Sequence, residues 1–340
     1  MLVFDKLQLE NVTKAKNIFT IVETDYTMEG VCLKEYKYTL KTITRLYSHG
    51  SNKNVPEFRV SELKALLRFT YRSIQLTDDI KKLLEMEHDL FGKAAEKENS
   101  KASPIRFRMI SDKVITDKQK LLLHDAVRNK HNYKESNNMK TMINTNNSFA
   151  VWLRTLDDSL SLEYYQKLFE LAFALYGMGG RARRARGSFS FLGEYISFGS
   201  QEDFLRSLLS VLNDVANKDS QFVREENTII HSKTSCVVYP YIEYIKIGRR
   251  YNSEQALLKT VDRASHYQDC YYTGYVGMNK NEKLKRYASP VYVSAILLED
   301  GLHPIITSLK ADEELIRKKK EDGIAVKAKD KRVEFINEIL

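Results

Sequence analysis

The chain has 340 residues, 43% of them hydrophobic and 29% charged, which excludes a disordered chain and favours two domains with a sizeable core. The net charge of +9 permits a polyanionic partner, whereas no apolar run approaches the roughly 20 residues that span a bilayer and residues 1–10 lack a signal-peptide core, so a cytoplasmic protein with no membrane partner is expected. Cys32, Cys236 and Cys270 lie too far apart in sequence for a CxxC pair or a metal-ligand set, so neither disulfide nor zinc nor any other cofactor is expected.

Residues 1–34 form an extension without a clear pattern. Residues 36–46 alternate and carry β-branched side chains, which predicts a strand. A polar loop, Ser48 to Pro56, leads into a helix over 60–74. Val60, Leu63, Leu66 or Leu67, Tyr71 and Ile74 recur there on one side, and Lys64, Arg68 and Arg72 on another. Strands are predicted at 103–109 and 149–153, with a helix over 116–130 and a mobile Asn- and Lys-rich loop over 129–147 between them. An apolar helix over 160–176, capped by Asp158 or Ser159, is followed by a strand over 189–198.

The order from 36 to 198 is strand, helix, strand, strand, helix, strand, which is the ferredoxin-like order shared by the RRM. A partial repeat points to a second copy. Ala65-Leu66-Leu67-Arg68 is echoed by Ala256-Leu257-Leu258-Lys259, and Ala102-Ser103-Pro104-Ile105 by Ala288-Ser289-Pro290-Val291. The expected fold is therefore α+β: two tandem ferredoxin-like domains, at 35–199 and 234–340, with helical insertions and a helical connector over 200–233. In the second domain, strands are predicted at 234–247, 289–298 and 303–308, helices at 253–267 and 310–320, and a further helix at the chain's end.

One segment stands out chemically. From Gly177 to Gly187 there are four glycines, Gly177, Gly179, Gly180 and Gly187, and four arginines, Arg181, Arg183, Arg184 and Arg186. Glycine lets backbone N–H groups approach a phosphate, and the arginine fork matches phosphate geometry. The loop lacks the GxxxxGK[ST] pattern and does not open a helix after a strand, so it is no dinucleotide fingerprint. RNA held on this loop is one reading; a solvated basic turn, or a docking surface for an acidic protein, is the other. Arg59, Lys64, Arg68 and Arg72 offer a second phosphate track, or an ordinary solvated face. His49, beside Tyr47 and near Lys53, is the one candidate general base for a metal-independent ribonuclease that matures guide RNA; an exposed loop histidine is the simpler reading.

Residues 57–68 (EFRVSELKALLR), 90–105 (LFGKAAEKENSKASPI), 175–188 (LYGMGGRARRARGS) and 286–291 (RYASPV) resemble, in order and wording, the landmarks of the RAMP superfamily. They are most similar to the first-subunit family of the Cmr complex, the type III-B CRISPR effector. The resemblance covers most of 36–310. It departs at Ala65 and Arg186, where the family has glycine and an aromatic or glycine, and at Thr44-Arg45, where it has Thr-Pro. It implies a non-catalytic subunit that binds guide CRISPR RNA and target RNA near the guide's 3′ end, among other RAMP subunits of a Cmr complex. By position it assigns RNA contact to Arg59, Lys64, Arg68, Gly180, Arg181, Arg183 and Arg184.

Overall fold

The computed structural model describes residues 24–28, 31–94, 100–111, 114–123, 139–155, 161–190, 198–218, 220–233, 239–279, 282–310 and 329–340. The predicted helix over 310–320, and 191–197 of the predicted strand, lie outside the described residues.

The first sheet carries the hairpin β1 (Thr24–Met28) and β2 (Val31–Thr42), then helices α1 (Val60–Ile74) and α2 (Ile80–Phe91). After β3 (Ile105–Ser111) come the short strands β4 (Thr116–Lys120) and β5 (Met139–Ile143), then β6 (Ser148–Thr155), α3 (Leu162–Leu175) and β7 (Phe189–Ser190). The sheet runs β7-β2-β6-β3, antiparallel throughout, with β1 beside β7 along the same edge of β2. This is the ferredoxin-like strand order the sequence predicts. Ser161 caps α3 by accepting from the Tyr164 amide; the predicted caps Asp158 and Ser159, two or three residues earlier, lie outside the described residues.

Two segments differ from expectation. Residues 116–120, predicted helical, are strand β4, and 139–143 of the predicted mobile loop are its partner β5. Ile143 is fully buried and its backbone pairs reciprocally with Leu46. That tertiary pairing overrides a weak helical preference. Helix α2 was not predicted, although Asp79 accepts from the Lys82 amide and Leu83, Glu87 and Phe91 are buried one turn apart.

The second half supplies α4 (Gln201–Val215), the hairpin β8 (Phe222–Glu225) and β9 (Thr228–His231), β10 (Ile242–Ile247) and α5 (Glu254–Tyr267). There follow the hairpin β11 (Tyr275–Asn279) and β12 (Glu282–Tyr287), then β13 (Val291–Leu298), β14 (Gly301–Leu309) and α6 (Arg332–Asn337). The sheet order is β13-β14-β10-β9-β8. Strands β10, β14 and β13 take the ferredoxin-like positions of first, third and second strand. The fourth position is filled by β9, from the segment predicted as a helical connector. The sequence repeat maps onto equivalent places: α1 and α5 are first helices, and the Ser-Pro pairs precede β3 and β13. In both, the serine hydroxyl donates to a carbonyl two residues on, Ser103 to Ile105 at 2.9 Å and Ser289 to Val291 at 2.8 Å.

Of two buried clusters among the described residues, the larger runs through both halves, and the other lies between α5, α6 and the second sheet. Leu67, Phe169 and Leu175 belong to the same buried cluster as Ile245, Ile296 and Ile305. Phe69, Tyr176 and Tyr292 meet ring to ring where α1, α3 and β13 converge. The Ser294 hydroxyl donates to the Ala174 carbonyl at 2.8 Å. A shared core predicts one cooperative transition. Ile305→Ala, in β14, should cost about 2–5 kcal/mol. It should shift thermal unfolding seen by Trp152 fluorescence, which reports on the first sheet, together with that seen by circular dichroism. Two separated transitions would contradict a shared core.

Candidate nucleic-acid interface

The glycine-arginine loop leaves α3 at Tyr176 and is fixed along both sides. On one side it is bonded to the segment between β2 and α1. The Gly180 amide donates to the Tyr47 carbonyl at 2.6 Å, Gly187 to Arg45 at 3.0 Å, and Ile43 to Ser188 at 2.9 Å. On the other side it reaches the second domain, where the Ala185 amide donates to the Val293 carbonyl at 2.7 Å. The amides of Gly180 and Gly187, expected to face phosphate, are thus spent on carbonyls of the fold. The glycines are there for packing. Gly179 and Gly187 have φ of +79° and +67°, and a Cβ at Gly187 would stand 2.0 Å from the Met178 carbonyl oxygen. Arg181 and Ala185 also adopt the left-handed region, at φ of 62° and 58°, which is costly for residues with a Cβ.

The arginines divide sharply. Arg186 is fully buried, and its Nη1 and Nη2 donate to the two carboxylate oxygens of Asp262 on α5, at 2.9 and 2.7 Å. Arg181 donates to the same carboxylate at 3.1 Å, with its side chain 30% exposed. The Leu123 amide also donates to Asp262 at 2.8 Å. Burial disfavours the Asp262 charge, but the hydrogen bonds and charges of the arginines outweigh it and hold its pKa below the ordinary carboxylate value. Arg184 is buried, lies over the Phe335 ring, and donates to the carbonyls of Thr273 and Val291; burial, then repulsion from Arg181 and Arg183, lowers its pKa. Arg183, half-buried, makes no ion pair among the described residues and lies over the ring of buried Tyr292, its guanidinium 4.7 Å from the ring centre. The expectation that all four arginines present to a phosphate is corrected on this point: Arg184 and Arg186 are spent inside the fold.

The α1 track divides in the same way. Arg68 and Arg72 both pair with Glu87 of α2, at 2.5 and 2.6 Å, and Glu87 is buried. They join two helices, and Arg68 adds a bond to the Gly92 carbonyl. Lys64 makes no ion pair among the described residues, and burial followed by repulsion from Arg68 lowers its pKa. Arg59, with its side chain 40% exposed, makes only loose pairs with Glu57 and Glu62 and donates to the His49 carbonyl. The His49 ring packs edge-on to Tyr47, 4.7 Å between centres, and Tyr47 lies against Gly180. His49, Arg59 and the loop are thereby brought together. Among the described residues no side chain hydrogen-bonds to the His49 ring.

Sequence reasoning missed the acidic partners. Asp262 and Glu254 on α5 receive the loop and Arg45 respectively, with Arg45 donating through its amide at 2.7 Å and through Nε and Nη2 at 2.8 Å. A buried carboxylate has no motif of its own, but Asp262 falls between Val261 and Ala264 on the apolar side of α5, an unusual place for a charge.

Residues 39–190 match the family model of the RAMP superfamily. Among solved structures, a chain of the type III-B Cmr-beta complex bound to cognate target RNA and AMPPnP in the presence of single-stranded DNA superposes with a TM-score of 0.51 at 12% identity, over 89% of this chain and 97% of that one. A second Cmr-beta structure bound to cognate target RNA gives 0.50 at 11% identity, over 81% and 94%. The apo crystal structure of Cmr1 from Pyrococcus furiosus gives 0.49 at 15% identity, over 82% and 88%. At these identities the likeness is one of fold. No curated protein matches the sequence. Among the described residues no helix is long and apolar enough to cross a membrane.

Asp262→Ala should cost about 3–5 kcal/mol in urea unfolding at neutral pH, because it leaves buried Arg186 unpaired. Removing both charges together, Asp262→Leu with Arg186→Met, should recover most of that loss; no recovery would show that the pair is not the source. The pH dependence has a definite sign. The folded pKa of Asp262 lies below the ordinary 3.8. Its contribution is therefore complete above the unfolded value and is lost as pH falls through the folded one. The stability gap between wild type and Asp262→Asn should stay constant from neutral pH down to about pH 5 and close below about pH 4.

Proposed function

We propose that this chain is a non-catalytic RNA-binding subunit of a type III-B CRISPR effector of the Cmr kind, contacting guide CRISPR RNA and target RNA near the guide's 3′ end beside other RAMP subunits. The observation that carries the reading is the conjunction of a RAMP superfamily match at 39–190 with a fold that matches, over 89% of this chain, a chain from a Cmr-beta complex bound to cognate target RNA. The residues best placed to meet RNA are Arg183, Lys64 and Arg59, with Arg181 and Tyr47 at the edge of the loop. Arg68, Arg72, Arg184 and Arg186, with Gly177, Gly179, Gly180 and Gly187, act by shaping that surface. Contacts of this kind address the RNA backbone rather than its sequence, as suits a subunit that must accept any guide.

Arg183→Ala combined with Lys64→Ala should weaken single-stranded RNA binding about equally for unrelated sequences. The log–log salt slope should fall by about 0.7 per lost contact. An unchanged affinity and slope would remove these residues from the interface. Incubation of the purified chain with repeat RNA in EDTA should yield no site-specific cut. Cleavage that disappears in His49→Ala would replace this reading with a metal-independent ribonuclease using His49 as base, and nuclease-resistant capture of an acidic protein that depends on Arg183 would replace it with a scaffold.

A further inference from the structure

The first sheet has a second face, turned away from α1 and α3. Along β6 the side chains of Phe149, Val151, Leu153 and Thr155 are buried, while Ser148, Ala150, Trp152 and Arg154 point to the other side. The register aligns that outer face across three strands. Lys37, Trp152 and Arg108 form one row, and Glu35, Arg154 and Arg106 the next. Lys41 of β2 and Ile110 of β3 share the face, and Arg106, Arg108 and Ile110 are exposed.

The chemistry of this face is one-sided. Glu35 is its single carboxylate among the described residues, and it is neutralised by Arg154 at 2.8 Å. Lys37, Lys41, Arg106 and Arg108 have no ion pair among the described residues. Trp152, the only tryptophan in the chain, sits at the centre with the Lys37 amine and the Arg108 guanidinium each 5.3 Å from its ring. A half-buried indole with a cation on each side, neither in an ion pair among the described residues, is an arrangement that a stacked base and its phosphates complement. Arg106 and Arg108 stand about 6.8 Å apart along β3, which suits successive phosphates of an extended strand.

We propose that this outer face is a second nucleic-acid site, in which Trp152 stacks one base of a single-stranded RNA while Lys37, Lys41, Arg106 and Arg108 hold the flanking phosphates. A base arriving on the indole takes the place of one cation, which then turns to the backbone. The site deepens the RNA-binding reading and rests on it, but it lies on the opposite side of the sheet from α1 and α3. It gives the subunit two tracks, one beside the glycine-arginine loop and one across the sheet.

The test uses the full chain, a short oligouridylate and the emission of Trp152, which reports on this face alone. Emission should be quenched saturably as the oligouridylate binds. Trp152→Ala should weaken binding by roughly 5- to 100-fold, and Trp152→Phe, which keeps a stacking ring, should stay within a few-fold of wild type. The surface pair Arg106→Glu with Arg108→Glu, which leaves the core untouched, should abolish the quench. If these variants bind as wild type does while Arg183→Ala with Lys64→Ala binds worse, the sheet site is overturned and the RNA-binding reading stands. Equal quenching by oligoglutamate at the same ionic strength would assign the face to an acidic protein and overturn it as well. A wild-type chain that binds no oligouridylate removes both.

Discussion

The arrangement of this molecule depends on one buried carboxylate. Asp262 sits inside the second domain and receives Arg186, Arg181 and the Leu123 amide, all from the first domain or its insertion. A buried guanidinium needs compensating acceptors, since the desolvation of an isolated charge costs several kcal/mol; Arg186 finds them in the Asp262 carboxylate. The pair therefore fixes register as much as it stabilises: Arg186 can be buried only where Asp262 is, and the loop that carries it must lie against α5. The remaining loop contacts follow from that docking. Ala185 reaches Val293, Arg184 reaches Thr273 and Val291, and Arg183 is left over Tyr292.

The family pattern takes on a physical meaning in this frame. Two of the three departures from it, Arg45 and Arg186, are residues that end on carboxylates of α5. Proline at position 45 would have no amide to give Glu254, and an aromatic or glycine at 186 would leave Asp262 without its bidentate partner. These departures are coupled to acidic residues far along the chain: Glu254 lies 209 positions from Arg45, and Asp262 lies 76 from Arg186. The domain interface of this chain is thus tied by ions that the general pattern does not call for.

Much of the fold was legible because it is written in local pattern. The buried stripe of α1 and the alternation of β2 and β6 are periodic, and the Ser-Pro repeat marked the start of both β3 and β13. The hairpin β4–β5 was not legible, because its stability comes from Ile143 meeting Leu46, a contact made far along the chain. The site was legible as a place but not as a mechanism. Glycine and arginine counts single out the loop, yet they could not distinguish an arginine that faces solvent from one that faces Asp262. That distinction is made by a single side chain on another domain. The same holds for Arg68 and Arg72, whose periodic spacing looks like a phosphate track until Glu87 of α2 is placed between them.

Charge that is spent inside the fold changes where the positive surface lies. With Arg184 and Arg186 buried and Arg68 and Arg72 bound to Glu87, the loop and α1 retain less free charge than their sequence suggests. The outer face of the first sheet retains more, because Lys37, Lys41, Arg106 and Arg108 are dispersed over two strands and never form a cluster in the sequence. A sequence search for basic clusters finds the arginines that hold the domains together. The cations around Trp152 that make no ion pair among the described residues are brought together by strand register alone, and with Arg183, Lys64 and Arg59 they give the +9 net charge two directions under the proposed reading.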